Sequence, residues 1–135
     1  MRKFALRKIG VVTAGLGLGL ALGAQTQAQD PENVIRAMPG NRFDRPMLVI
    51  QAGESVTWMN GGGFHNVVAD DGSFRCSTGC DQNGGSGNPS TEPWSFTLTF
   101  TEPGTVPYFC EVHGGEGGRG MSGTIVVQDP NAEGL

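Results

Sequence analysis

Between Tyr108 and Val127 the chain reads Tyr-Phe-Cys-Glu-Val-His, then Gly-Gly-Glu-Gly-Gly-Arg-Gly, then Met-Ser-Gly-Thr-Ile-Val-Val. A thiol (Cys110), an imidazole (His113) and a thioether (Met121) therefore share one short loop between two strand-like runs. The 135 residues contain two histidines, and the second, His65, follows the turn Gly61-Gly62-Gly63 in the first half of the chain. Four soft donors on two segments point to a single metal ion held between them.

The donor types select the metal. A thiolate and two imidazoles in a trigonal plane, with a weak thioether on the axis, form a blue-copper electron-transfer site. Thiolate and thioether suit Cu(I), whereas imidazole suits both oxidation states, so an electron leaves with little rearrangement. Zinc is the rival metal, because Cys-His-His sets bind it readily. The metal itself would supply the lowered thiol pKa that ligation needs. Donors so far apart in sequence require a folded scaffold to bring them together.

The scaffold reads as strands. Val34 to Met38, Met47 to Gln51, Ser55 to Asn60 and His65 to Ala69 are short apolar or alternating runs, separated by Pro39-Gly40, Ala52-Gly53-Glu54 and the glycine triplet. Asn41 to Pro46 reads as a turn. Trp94, Phe96, Leu98 and Phe100 alternate with Ser95, Thr97 and Thr99, the clearest strand of the chain. Thr105 to Cys110 places Val106 and Tyr108 on the face of Cys110, and Gly123 to Gln128 closes the fold before a tail, Asp129 to Leu135. Gly72 to Pro93, rich in Gly, Ser, Asn and Asp, reads as a long loop with at most one helical turn or a short edge strand. The pattern is all-β, a Greek-key sandwich of about seven to eight strands; strand spacing alone fits an immunoglobulin-like domain equally.

Four basic residues (Arg2, Lys3, Arg7, Lys8), an apolar run from Ile9 to about Ala24 and small residues up to Ala28 form an expected signal peptide, residues 1–28. Cleavage after Ala24, or retention as a membrane anchor, is the alternative. The mature domain is then 29–135, with five basic and thirteen acidic residues and a balance of −8. Such a chain, without lysine, argues against nucleic acid. It favours steering towards a basic partner, although solubility alone would also explain it. Three cysteines leave one unpaired. Cys76 and Cys80, close together in a loop-like segment of an exported protein, are expected to form a disulfide, with a second metal site as the weaker alternative.

The residues resemble the cupredoxins of the plastocyanin, pseudoazurin and halocyanin branch. The resemblance is carried by Phe43 to Asn60 (Phe-x-x-x-x-Leu-x-Ile-x-x-Gly-x-x-Val-x-Trp-x-Asn), by His65-Asn66-Val67-Val68, by Tyr108-Phe109-Cys110-x-x-His113 and by Met121-x-Gly123-x-Ile125-x-Val127. It implies one type 1 copper near the end of an eight-stranded sandwich. It also implies equatorial ligands His65, Cys110 and His113, axial Met121, and Asn66 tying the two ligand segments together by hydrogen bonds. His113 is the expected solvent-edge ligand, and Phe109 stands where plastocyanins often carry Tyr. Two features depart from the family. Phe64 precedes His65 where Pro is common, leaving the Gly63 carbonyl as a possible opposite axial donor. The His113–Met121 gap is about three residues longer than in plastocyanin-like members, and its glycines allow either a compact or a mobile loop.

The expected function is an exported carrier of single electrons, monomeric, docking briefly with redox proteins such as a c-type cytochrome or a membrane oxidoreductase complex. Periplasm, thylakoid lumen and extracellular space are equally open as its compartment. The alternative is a copper buffer or delivery protein without a redox circuit, motivated by the glycine-rich loop. Enzymatic copper proteins of this fold need a second site, and two histidines do not supply both, so no catalytic residues are expected.

Overall fold

The computed structural model describes residues 33–132; the expected signal segment 1–28, and with it the start of the mature domain, lies outside them. The strands are β1 (Val34–Met38), β2 (Arg42–Phe43), β3 (Met47–Gln51), β4 (Ser55–Asn60), β5 (Val67–Ala69), β6 (Arg75–Cys76), β7 (Ser95–Thr99), β8 (Gly104–Gly115) and β9 (Arg119–Gln128). They form a sandwich of two sheets, one ordered β2-β1-β4-β7 and the other β3-β9-β8-β5-β6. The β1–β4 and β3–β9 pairs are parallel, and the remaining pairs are antiparallel.

The alternation read in the sequence is the alternation of burial. Ile35, Ala37, Val56 and Trp58 of one sheet face Leu48, Ile50, Tyr108, Ile125 and Val127 of the other, and all nine are buried. Successive side chains point to opposite faces of a strand, so each inward residue is separated by an outward one. Trp58 sits at the centre: it stacks on Phe96 at 5.4 Å and meets the Tyr108 ring edge-on at the same distance. Truncating such a side chain to alanine costs about 3–5 kcal/mol.

Several elements differ from the sequence reading. The turn expected at 41–46 contains β2, paired to β1 through Ala37–Phe43 and Met38–Arg42. The strand expected from His65 begins at Val67; His65 itself makes an isolated two-bond bridge to Ser90. The segment after Gly72, expected as a long loop with one helical turn or a short edge strand, holds both: the edge strand β6 and a single 3-10 turn, Asp81–Asn83. With these additions there are nine strands among the described residues, two of them only two residues long.

The largest difference lies in β8 and β9. They pair in one register from Gly104–Val127 to Phe109–Ser122, and then resume at Gly114–Gly120 and Gly115–Arg119. Four residues, Cys110 to His113, thus oppose Met121 alone, a large irregular β-bulge. Beyond it the glycine-rich stretch is a paired hairpin, not an unstructured loop. Gly117 and Gly118 form its tip at φ 77° and 76°, the left-handed region that a tight hairpin turn requires. The Gly117 N–H donates to the Asp70 carboxylate (2.8 Å), and the Asp70 N–H donates to the Pro107 carbonyl (2.9 Å). The tip is therefore tied to Asp70, which follows β5 and is itself bonded to Pro107 of β8.

Candidate metal centre

The β5–β8 register sets the site. Val68 pairs with Phe109 and Ala69 with Tyr108. Continued by two positions, that register puts Asn66 opposite Glu111 and brings His65 to the end of β8 that carries the bulge. A bulge re-aims side chains, which is why it occurs beside functional sites. Here it turns both Cys110 and His113 towards His65.

The three donor atoms form a triangle. His65 Nδ1 lies 3.2 Å from His113 Nδ1, and Cys110 Sγ lies 3.9 Å from the first and 3.7 Å from the second. The circle through these three points has a radius of about 2.1 Å, close to metal–nitrogen and metal–sulfur bond lengths of about 2.0 and 2.3 Å. The three donors are thus spaced to hold one ion between them. His65 and Cys110 are fully buried, whereas His113 is partly exposed. Met121 is 2 % exposed and faces the bulge from β9.

Neighbouring groups fix the imidazole of His65. Its Nε2 lies 3.1 Å from the Met38 carbonyl, which only accepts, so the proton resides on Nε2 and Nδ1 presents a lone pair. Burial, and then the proximity of His113, lower its pKa and keep the ring neutral, the form a metal requires. Gly63 stands against this ring at φ 106°, where a Cβ would collide with Nε2. Its carbonyl, named above as a possible opposite axial donor, accepts a hydrogen bond from the Asn60 amide (3.1 Å).

Asn66 bonds to both the segment after Cys110 and the loop at Gly87. Its Oδ1 accepts the Glu111 N–H at 3.1 Å, and its Nδ2 donates to the Gly87 carbonyl at 2.9 Å. Cys76 and Cys80 form the expected disulfide, leaving Cys110 as the free thiol. Solvent reaches the site at His113. An open concavity of about 350 Å³ there is walled by Val112, Gly114, Gly115, Arg119 and Gly120. Phe64 and Val112, each next to a histidine in sequence, are roughly half exposed.

Sequence reasoning missed Met38, Ser90 and Arg75. The first two act through main-chain atoms, which leave no trace in residue type. Arg75 had one signal: it is the only basic residue between Arg45 and Arg119.

Residues 36–128 match the family of copper binding proteins described as the plastocyanin/azurin family. The chain is 32 % identical over 120 residues to the chloroplast plastocyanin of Tetradesmus obliquus, covering 88 % of this chain and 77 % of that one. It is 37 % identical over 87 residues to the plastocyanin of Scenedesmus fuscus, covering 64 % and 86 %. Among solved structures it resembles an oxidised amicyanin mutant, with a TM-score of 0.53, 25 % identity and coverage of 76 % of this chain and 87 % of that one. The fold and donor set define a cupredoxin. The chain belongs to the plastocyanin/azurin family of copper-binding proteins, and its cofactor is one type 1 copper.

Proposed function

We propose that this protein is an exported carrier that shuttles single electrons between redox partners, with His65, Cys110 and His113 as equatorial ligands and Met121 on the axis. Copper held by these residues would supply one-electron chemistry between Cu(I) and Cu(II). The observation that carries the reading is the size of the donor triangle, whose sides of 3.2, 3.9 and 3.7 Å suit three bonds to one ion. Three donors already spaced for a trigonal ion need little rearrangement on gaining or losing an electron.

The protein's own groups supply the remaining functions. Met38 holds His65 in the ligating tautomer. Asn66 holds the segment after His65 against the residue after Cys110. The buried surroundings of Cys110 exclude water from the thiolate, while the partly exposed His113 lines the open concavity beside Val112. This edge is the proposed exit for the electron, and its small apolar rim suits short-lived docking. A c-type cytochrome or a membrane oxidoreductase complex is the proposed kind of partner. The apolar run within 1–28 supports export to the periplasm, or to a lumen or extracellular space; among the described residues no helix is long and apolar enough to cross a membrane. Pairing of Gly114 with Gly120 and of Gly115 with Arg119 supports the carrier over a copper buffer, the reading that a mobile glycine loop would favour.

Visible absorption and electron paramagnetic resonance of the mature protein with Cu(II) test the reading. An intense thiolate charge-transfer band with narrow hyperfine splitting is expected. A pale solution with ordinary copper splitting would remove Cys110 from the coordination shell, and electron transfer with it.

A further inference from the structure

We propose that Arg75 is a positioning residue for the metal centre, and that the loop 76–88, stapled at its start by the Cys76–Cys80 disulfide, braces the two ligand-bearing segments. The proposal rests on the copper reading of the donor triangle.

Arg75 reaches three anchors. Its guanidinium donates to both Glu111 carboxylate oxygens, at 2.9 and 2.6 Å, to Asp81 at 2.9 Å and to the Asn88 side-chain oxygen at 3.0 Å. Glu111 directly follows Cys110, and Asp81 directly follows Cys80. One planar fork thus ties the residue beside the thiol to the residue beside the disulfide. Lysine cannot reproduce that bidentate geometry.

A second path closes the circuit. Asp81 accepts the Gly87 N–H at 2.7 Å, and the Gly87 carbonyl accepts from Asn66, which in turn takes the Glu111 N–H. Asn66 and Glu111 are the neighbours of His65 and Cys110, so two ligands are held through one ring of contacts that passes through the loop. The loop is stiff enough to serve. Ser77 is fully buried and its hydroxyl bonds the Ser86 and Asn88 carbonyls. The Gly85 N–H bonds the Cys80 carbonyl at 3.1 Å, and Gly87 packs so closely on the Arg75 backbone that no Cβ fits. A single exposed ion pair contributes little. A closed network beside a metal acts differently, because outer partners that orient ligands commonly matter tenfold or more in affinity.

The experiment compares Arg75→Met, Arg75→Lys and the double substitution Cys76→Ser/Cys80→Ser with the unaltered mature protein. Arg36→Met, which removes the remote Arg36–Asp44 pair, is the control. Copper affinity is read by competition with a chelator, and the site by its hyperfine splitting and reduction potential. Arg75→Met is expected to weaken copper binding by about tenfold or more and to alter the splitting. Arg75→Lys should restore only part, and Arg36→Met should leave all three readings in place. Combined with the serine pair, Arg75→Met should add less than its separate effect, because both act on one brace. A fall in melting temperature with unchanged affinity, splitting and potential would reduce Arg75 to a surface contact and overturn the proposal. Full additivity would overturn the role of the loop. If Arg75→Met does not fold, Arg75→Lys carries the same test. A charge-transfer band absent from the unaltered protein would instead defeat the copper reading itself.

Discussion

The carbonyl of Met38, the last residue of β1, accepts the Nε2 proton of His65 at 3.1 Å. One sheet thereby fixes the donor atom of a ligand whose partners lie on the other sheet. The histidine ligand inside the sandwich is held through its far nitrogen, while the partly exposed His113 has the open side of the site.

Cys110→Ser is expected to abolish the intense visible band, because an alkoxide or alcohol lacks the sulfur-to-copper transition. The absorption spectrum of the copper-loaded variant checks this. A persistent strong band would remove the thiolate from the assignment.

Met121→Leu is expected to keep the equatorial plane and raise the reduction potential, since losing a weak axial donor disfavours Cu(II) more than Cu(I). Each tenfold gain in preference for Cu(I) corresponds to about 59 mV. Voltammetry of the two proteins gives the answer, and an identical potential and spectrum would place Met121 outside the coordination shell.

Gly114→Ala should disrupt the hairpin base. A Cβ there would run into the Met121 carbonyl and lie 2.7 Å from that of Arg119, both backbone atoms that cannot swing away. The expected loss is about 1–3 kcal/mol, the range for overpacking. Denaturant unfolding of the apo-protein measures it; unchanged stability would mean that the hairpin opens freely.

Asp81 gives a pH-dependent prediction. The Gly87 N–H first, and then Arg75, hold its carboxyl below its ordinary range. Its folded pKa is lower than its unfolded one, so its contribution is present above about pH 4 and is lost as pH falls through the depressed value. Asp81→Asn should therefore flatten the acid limb of the apo-protein stability profile while leaving its slope near neutrality. Melting temperatures between neutral pH and about pH 3 decide it; an unchanged acid limb would show that the carboxylate gains nothing on folding.

The −8 balance of the expected mature chain predicts a salt effect. Electron transfer with a basic partner should slow by roughly tenfold or more as ionic strength rises from low values to about 0.15 M, where the screening length is about 8 Å. Stopped-flow rates across that range test it. A flat profile would leave the charge as a solubility device.

Much of the site was legible because its chemistry resides in scarce side chains. Two histidines, one unpaired cysteine and a methionine on a neighbouring strand leave few other assignments, and the alternation of Trp94 to Phe100 exposes its strand directly. The register shift was not legible. Whether Gly114 to Gly120 forms a ladder depends on how β8 meets β9, which residue type does not state. The loop after Gly72 was legible with its disulfide, but not what orders it: backbone bonds and one arginine whose carboxylate partner Glu111 lies 36 residues away. Ser90 shows the same limit, because its bridge to His65 uses only main-chain atoms.

His65 and Cys110 are 45 residues apart, and they meet only where β5 has docked on β8. Contacts of such long sequence separation form late and slowly, because the intervening chain must first be ordered. The donor triangle is therefore a product of nearly complete folding and is absent from a nascent chain. Copper arriving early would meet scattered thiols and imidazoles able to trap it in wrong pairings. Maturation should accordingly run in a fixed order, sandwich first and metal last, and the rate of copper uptake by refolding chains should follow the slowest strand-docking step.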